Sequence, residues 1–318
     1  MKNGKFVISL DFELHWGVAE LWDVNDRKDY FNNARKGIPL MLSLFEKYEI
    51  HATWATVGFL FAKDKKQLLD FSPSLKPTYK DMRLSYYSFL DENRIGNNEI
   101  DDPFHYAHSL IEEIIKTPGQ ELATHTFAHY YCNEPGQNKL QFESDLIAAL
   151  ALSKENFNIE MKSLVFPRNQ FNSEYTDIAK KHGIKVVRSN PDVWFWKTTS
   201  NKMALARAFD TLMPISSSVT FNEKKAKKNE VLLLPASRFL RAYSNKEKLI
   251  QSIKLRRIKN EMTFAAKNNK VYHLWWHPHN FGYFLNENLE FLETILQHFK
   301  SLQKEYGFES NSMIEMIE

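Results

Sequence analysis

A single cysteine, Cys132, in 318 residues excludes an intrachain disulfide framework and fits a reducing compartment. No run of about 18 apolar residues occurs, so no membrane-spanning helix is expected. The first residues, Met1-Lys-Asn-Gly-Lys-Phe-Val, enter a strand pattern without the apolar core of a signal peptide, and a cytoplasmic protein is expected. Neither sign of charge is in much excess. A net charge of +3 and a pI near 8.6 argue neither for nor against a nucleic-acid or membrane surface. Because no basic stripe is interleaved with aromatics, no nucleic-acid partner is expected. Repeats, low-complexity segments and linkers are also missing, which leaves one domain spanning 1–318. A hydrophobic share of 43% is then enough for a sizeable core.

Strand-like and helix-like stretches alternate along the chain. The β-rich runs cover 6–13, 51–58, 121–126, 163–168, 185–190, 231–236 and 271–277. Helices are expected over 29–48, 107–116, 140–156, 174–182, 246–267 and 288–303, with Gly183 as a stop signal. Such alternation means parallel strands joined by crossover helices. Seven units suggest a distorted (β/α)7 barrel related to the TIM barrel, with a doubly wound open sheet as the alternative. In both, catalytic groups gather at the carboxyl ends of strands. A polar insertion at about 71–103, carrying Tyr86 and Tyr87, is too long for a connector and reads as a loop over a site. A second irregular stretch covers about 191–229.

Four strand ends carry candidate chemistry. In Ser9-Leu-Asp-Phe-Glu13, residues two apart share a face, and paired carboxylates are costly there unless partnered or metal-bound. His125 and His129, in Glu121-Leu-Ala-Thr-His-Thr-Phe-Ala-His-Tyr130, follow a strand four residues apart. If that turn is helical, both imidazoles reach one metal ion; capping or packing is the bland alternative. Two histidines and one acid leave coordination positions open, as catalytic zinc requires. Thr126 stands where the zinc-protease pattern has its Glu, so a base must come from elsewhere, and Asp11 is the obvious donor. Arg168, in Ser163-Leu-Val-Phe-Pro-Arg-Asn-Gln170, is a natural partner for a carboxylate. In His273-Leu-Trp-Trp-His-Pro-His279, His277 at the strand end is the general-acid candidate. His273 lies deeper as a core histidine, and His279 is nearby in the loop.

Together these residues resemble the polysaccharide deacetylase family, metal-dependent carbohydrate esterases with the NodB-homology domain. His125-Thr-Phe-Ala-His129 matches that family's His-[Ser/Thr]-x-x-His motif. Ser9-Leu-Asp-Phe-Glu13 looks like its Thr-Phe-Asp-Asp motif with the acids spaced by one, and the motif order agrees over about residues 5–280. The resemblance implies a NodB-like barrel with Asp11 as general base and His277 as acid. It implies Glu13, His125 and His129 as ligands of Zn2+ or another divalent transition metal such as Co2+, Mn2+ or Ni2+. It also suggests Arg168 as tether of Asp11; the backbone N–H near Asn169 is a candidate oxyanion donor. Two departures are visible: Glu13 stands where the family usually has Asp, and Phe166-Pro-Arg-Asn169 does not follow its Arg-x-Pro order. Asp192 is a candidate to orient His277, with an ordinary turn aspartate as the alternative.

The implied activity is removal of N-acetyl or O-acetyl groups from a carbohydrate during synthesis of bacterial lipopolysaccharide, capsule or exopolysaccharide. Trp16, Asn169 and Trp276 are expected on the substrate, the tryptophans stacking on sugar faces, while Trp275 inside the strand suits the core equally well. A cytoplasmic enzyme suggests a nucleotide- or lipid-linked sugar. The basic segments 254–259 and 224–228 are candidates for pyrophosphate or for peripheral membrane contact, against the plain reading of solvated faces. Deformylases and allantoinase-like amide hydrolases share the fold, and a non-catalytic sugar-binding protein is the reading from another class.

Overall fold

The computed structural model describes residues 3–191, 219–224 and 230–317. Among them, strands β1 (Lys5–Phe12), β2 (Ala52–Thr56), β3 (Gln120–Thr124), β4 (Ser163–Leu164), β5 (Val186–Ser189), β6 (Leu232–Pro235), β7 (Arg238–Phe239), β8 (Val271–Trp276) and β9 (Glu309–Asn311) form one parallel sheet. The helices are α1 (Lys28–Lys47), α2 (Lys65–Phe71), α3 (Tyr87–Asp91), α4 (His108–Lys116), α5 (Lys139–Phe157), α6 (Ser173–Lys181), α7 (Gln251–Lys267) and α8 (Leu285–Tyr306). None is long and apolar enough to cross a membrane.

The hydrogen-bonded order is β6-β5-β4-β3-β2-β1-β8-β7, with β9 on β1. Consecutive strands lie side by side from β1 to β6. The midway reversal of a doubly wound sheet is therefore absent, and that alternative is excluded. At the two ends of this order, β6 pairs with β5 and β7 with β8, and only Ala236 and Ser237 separate them in sequence. The Ala236 N–H donates to the Ser189 carbonyl and the Ser237 N–H to the His273 carbonyl, each at 2.8 Å. One extended stretch thus bonds both edges, and the sheet curls into a barrel. β1 to β5, the β6–β7 stretch and β8 fill its seven strand positions.

Strand parity sorts the core. Phe6, Ile8, Leu10 and Phe12 of β1 enter the layer between sheet and helices, with Phe45, Leu292 and Phe299. Val7 instead joins Ala55, Ala123, Val165, Val186, Leu232 and Val271 inside the barrel. Met313 and Met316, just after β9, close that interior at the amino-terminal end, since β9 runs beside Lys5–Val7. Each fully buried large apolar side chain contributes about 1.5–3 kcal/mol. Up the inner face of β1, Val7 gives way to Ser9 and Asp11, so the apolar floor carries a polar, buried mouth.

The insertion at 71–103 is built into the core. Tyr86 and Phe89 pack on Trp16, and Tyr87 packs on Phe59. Most of the stretch at 191–229, with Asp192 and the basic loop's residues 225–228, lies outside the described residues.

Candidate functional site

Asp11 ends the inner face of β1 and is buried there with Arg188, which is fully buried on β5. The guanidinium grips the carboxylate with both arms, Nη1 to Oδ1 at 2.6 Å and Nη2 to Oδ2 at 2.7 Å. Its remaining N–H groups reach Ser9 Oγ at 3.2 Å and Asn169 Oδ1 at 3.2–3.3 Å, and its face lies 4.2 Å from the Trp275 ring. Burial pushes the Asp11 carboxyl up. Arg188, helped by His125 and His277, outweighs that and leaves it below the ordinary value. The result is an ionised, oriented base. Beneath it, His273 Nδ1 donates to the Pro235 carbonyl at 3.0 Å, so Nε2 must accept from Ser9 Oγ at 2.8 Å. Burial holds that imidazole down at about 3, and His273 is the satisfied core histidine expected of it.

The turn carrying His125 and His129 is not helical. Thr126 and His129 have φ of 65° and 55°, and the turn is stapled from outside. Asp145, buried on α5, accepts the N–H groups of Phe127 at 2.6 Å and Ala128 at 3.2 Å, plus the Tyr87 hydroxyl at 3.0 Å. The Gly58 N–H donates to the Thr126 carbonyl at 2.8 Å, and a Cβ on Gly58 would come within 2.8 Å of Phe127 Cα, so only glycine allows this approach.

Both imidazoles converge on one oxygen. His125 Nε2 lies 3.0 Å and His129 Nε2 3.1 Å from Glu13 Oε1, with all three side chains buried. His125 Nδ1 sits 2.7 Å from the Val165 carbonyl, which can only accept. Nδ1 therefore carries a proton, and Nε2 is the ring nitrogen turned toward the carboxylate oxygen. The ligand atoms of Glu13, His125 and His129 lie within 4.8 Å of one another and could share one cation. One carboxylate and two imidazole donors, beside a partly open mouth, fit zinc or a similar divalent transition metal. Glu13, His125 and His129 would hold it. Burial raises the Glu13 carboxyl, but His277, His125 and His129 bring it well below its ordinary value. His129 Nδ1 meets Tyr131 Oη at 3.0 Å, and the ring of Tyr86, from the stretch at 71–103, stacks on the imidazole at 5.7 Å.

His277, a quarter exposed, stands at the mouth. Its Nε2 is 3.7 Å from Asp11 Oδ2 and 3.9 Å from Glu13 Oε2. The Asn280 amide donates to its Nδ1 at 3.3 Å and accepts from Tyr30 Oη at 3.4 Å, which leaves the imidazole proton on Nε2, facing the site.

Several expected partners are placed elsewhere. Arg168 does not tether Asp11. Residues 168 and 169 form a tight left-handed turn, with φ of 52° and 51°, that throws the guanidinium outward to Glu20 at 2.5 Å and over Tyr131. It fixes the carboxylate behind Tyr131 and His129; the guanidinium on Asp11 is Arg188's. The Asn169 N–H is committed to the Phe166 carbonyl at 2.8 Å and cannot serve an oxyanion; its side chain accepts from Arg188 instead. Trp16 and Trp276 are fully buried and present no face to a substrate. Trp16 bonds the His105 carbonyl, and Trp276 points out of the barrel toward Phe45 and Phe281. Trp275 packs between Arg188 and His277. Arg188 was detectable: an arginine inside an apolar strand, sharing parity with Val186, needs a buried carboxylate.

The family model for polysaccharide deacetylases matches residues 26–187, half of the chain. The match takes in His125 and His129, while Asp11, Glu13, Arg188 and His277 join them through the fold alone. No curated protein matches the sequence. Among solved structures, a candidate polysaccharide deacetylase from Mycobacterium smegmatis is similar with a TM-score of 0.61 at 11% identity, over 99% of this chain and 89% of its own. A second candidate, from Pseudomonas aeruginosa PAO1, has a TM-score of 0.57 at 9% identity, over 98% and 88%. A GH57-type branching enzyme from Pyrococcus horikoshii reaches 0.55 at 11% identity, over 99% and 70%. At such identities the likeness is one of fold.

Proposed function

Given that this chain belongs to the polysaccharide deacetylase family, we propose that it is a metal-dependent hydrolase removing acetyl groups from a carbohydrate. Support comes chiefly from one observation: two imidazole Nε2 atoms meet Glu13 Oε1 at 3.0 and 3.1 Å, while the Arg188-held Asp11 and His277 Nε2 stand 3.7 Å apart beside them. A divalent metal, zinc first among the candidates, supplies Lewis acidity toward an acyl carbonyl and toward water. Asp11 takes the proton of the attacking water, and Arg188 keeps it ionised for that task. His277 gives its Nε2 proton to the departing amine or alcohol. Arg188, Asn169, Ser9 and His273 hold the base from below, so little reorganisation accompanies proton transfer.

The substrate we propose is a nucleotide- or lipid-linked acetylated sugar used in cytoplasmic synthesis of a bacterial surface polysaccharide. The test is acetate release from a panel of N- and O-acetylated sugar nucleotides and lipid-linked oligosaccharides. Turnover of at least one member is expected, with a loss of orders of magnitude in Asp11→Asn while bound metal is retained. Equal turnover by Asp11→Asn would remove the base assignment, and formate in place of acetate would move the substrate class.

A further inference from the structure

His279, two residues past the acid, takes no part in the site as described so far. Its imidazole is 4% exposed, stacked on His277 and edge-on to Tyr30. Its Nδ1 is buried without a hydrogen-bond partner among the described residues. Such a nitrogen carries a desolvation penalty unless something meets it. The polar atom it faces is Glu13 Oε2, at 3.8 Å.

Oε1 of Glu13 serves both His125 and His129, and no described residue donates a hydrogen bond to Oε2. His277 Nε2 is 3.9 Å away but also faces Asp11, and the proposed chemistry sends its proton toward the leaving group. A glutamate ligand has one more side-chain torsion than an aspartate and needs a second fixed point. On one side it occupies the space a side chain at Gly17 would fill, since a Cβ there would lie 1.9 Å from Oε2. The other side is open to His279.

We propose that His279 is a positioning residue for the metal carboxylate: its Nδ1–H donates to Glu13 Oε2 and leaves Oε1 to the ion. The inference rests on Glu13, His125 and His129 holding a metal. The gap to a normal N–H···O distance is about 1 Å, within the reach of a carboxylate rotation. Partners that orient ligands in this way are worth about 10–100-fold in metal affinity.

The experiment is titration of the metal-stripped protein with Zn2+ under chelator competition, alongside the melting temperature of each stripped variant. His279→Phe keeps the ring against Tyr30 and removes the donor; affinity is expected to fall about 10–100-fold with capacity still one ion per chain. His279→Asn puts an amide N–H near the Nδ1 position and is expected to bind much as wild type does. His279→Ala carries the same test if phenylalanine is not accommodated. Wild-type affinity in His279→Phe, or equal weakness in His279→Asn, would overturn the orienting role. Loss of the single-ion capacity in both variants would make His279 a direct ligand and overturn it too. A wild-type protein that binds no ion fails at the first titration, and with it falls the metal reading itself.

Discussion

Replacing Arg188 with methionine removes the guanidinium but keeps most of the apolar volume beside Trp275. Asp11 then keeps its burial and loses two charge-assisted bonds, 2.6 and 2.7 Å long. Breaking a buried pair on one side costs about 3–5 kcal/mol. Asn169 Oδ1 also loses its donor, so the upper part of that range is expected. The pH dependence has a definite sign. With Arg188 present, Asp11 sits below the ordinary value, so its contribution to stability is present above the unfolded pKa and is lost as pH falls. Without Arg188, burial acts unopposed and raises the carboxyl. The variant's deficit is then greatest at neutral pH and narrows in acid, as Asp11 takes up a proton. The acidic limb of kcat/KM moves to higher pH for the same reason. Urea unfolding at several pH values measures the first effect, and acetate release measures the second. Arg168→Met is the control: that guanidinium is 41% exposed and bonds Glu20 rather than Asp11, so its loss should leave the limb unmoved. Equal, small effects from both arginines would refute the placement of Arg188 beneath the base.

Burial raises Asp145 to about 7, so the folded protein keeps a proton there that the unfolded chain has already released. Its contribution is complete below the ordinary carboxyl pKa and declines as pH rises through about 7; Asp145→Asn should abolish that slope in the melting temperature and cost about 1–3 kcal/mol by facing an amide N–H2 toward a backbone N–H. Gly17→Ala drives a methyl group into Glu13 Oε2, at 1.9 Å before relaxation. Metal affinity should fall at least tenfold, roughly, with the fold intact by circular dichroism.

Local pattern was enough for the barrel. All seven barrel strands lie where the β-rich runs put them, because parity and crossover length are written within single segments. β9 was not legible: Glu309–Asn311 has no apolar run, and it pairs only because β1 offers its edge. In the site, His125 and His129 announced themselves by spacing, although left-handed residues, and no helical turn, bring their rings together. Arg188 was missed because its contact with Asp11 spans 177 residues and depends on barrel curvature. Arg168 misled because a φ of 52° redirects a side chain without leaving a signature in the residue type. Trp276 was a parity error: it neighbours His277 in sequence but faces the helices.

The most direct measurement is elemental analysis of the purified chain and its variants. One divalent transition-metal ion per chain is expected in the wild type and in Asp11→Asn, and none in His125→Ala. Acetate release by metal-free wild-type protein, or a full complement of metal in His125→Ala, would contradict the account.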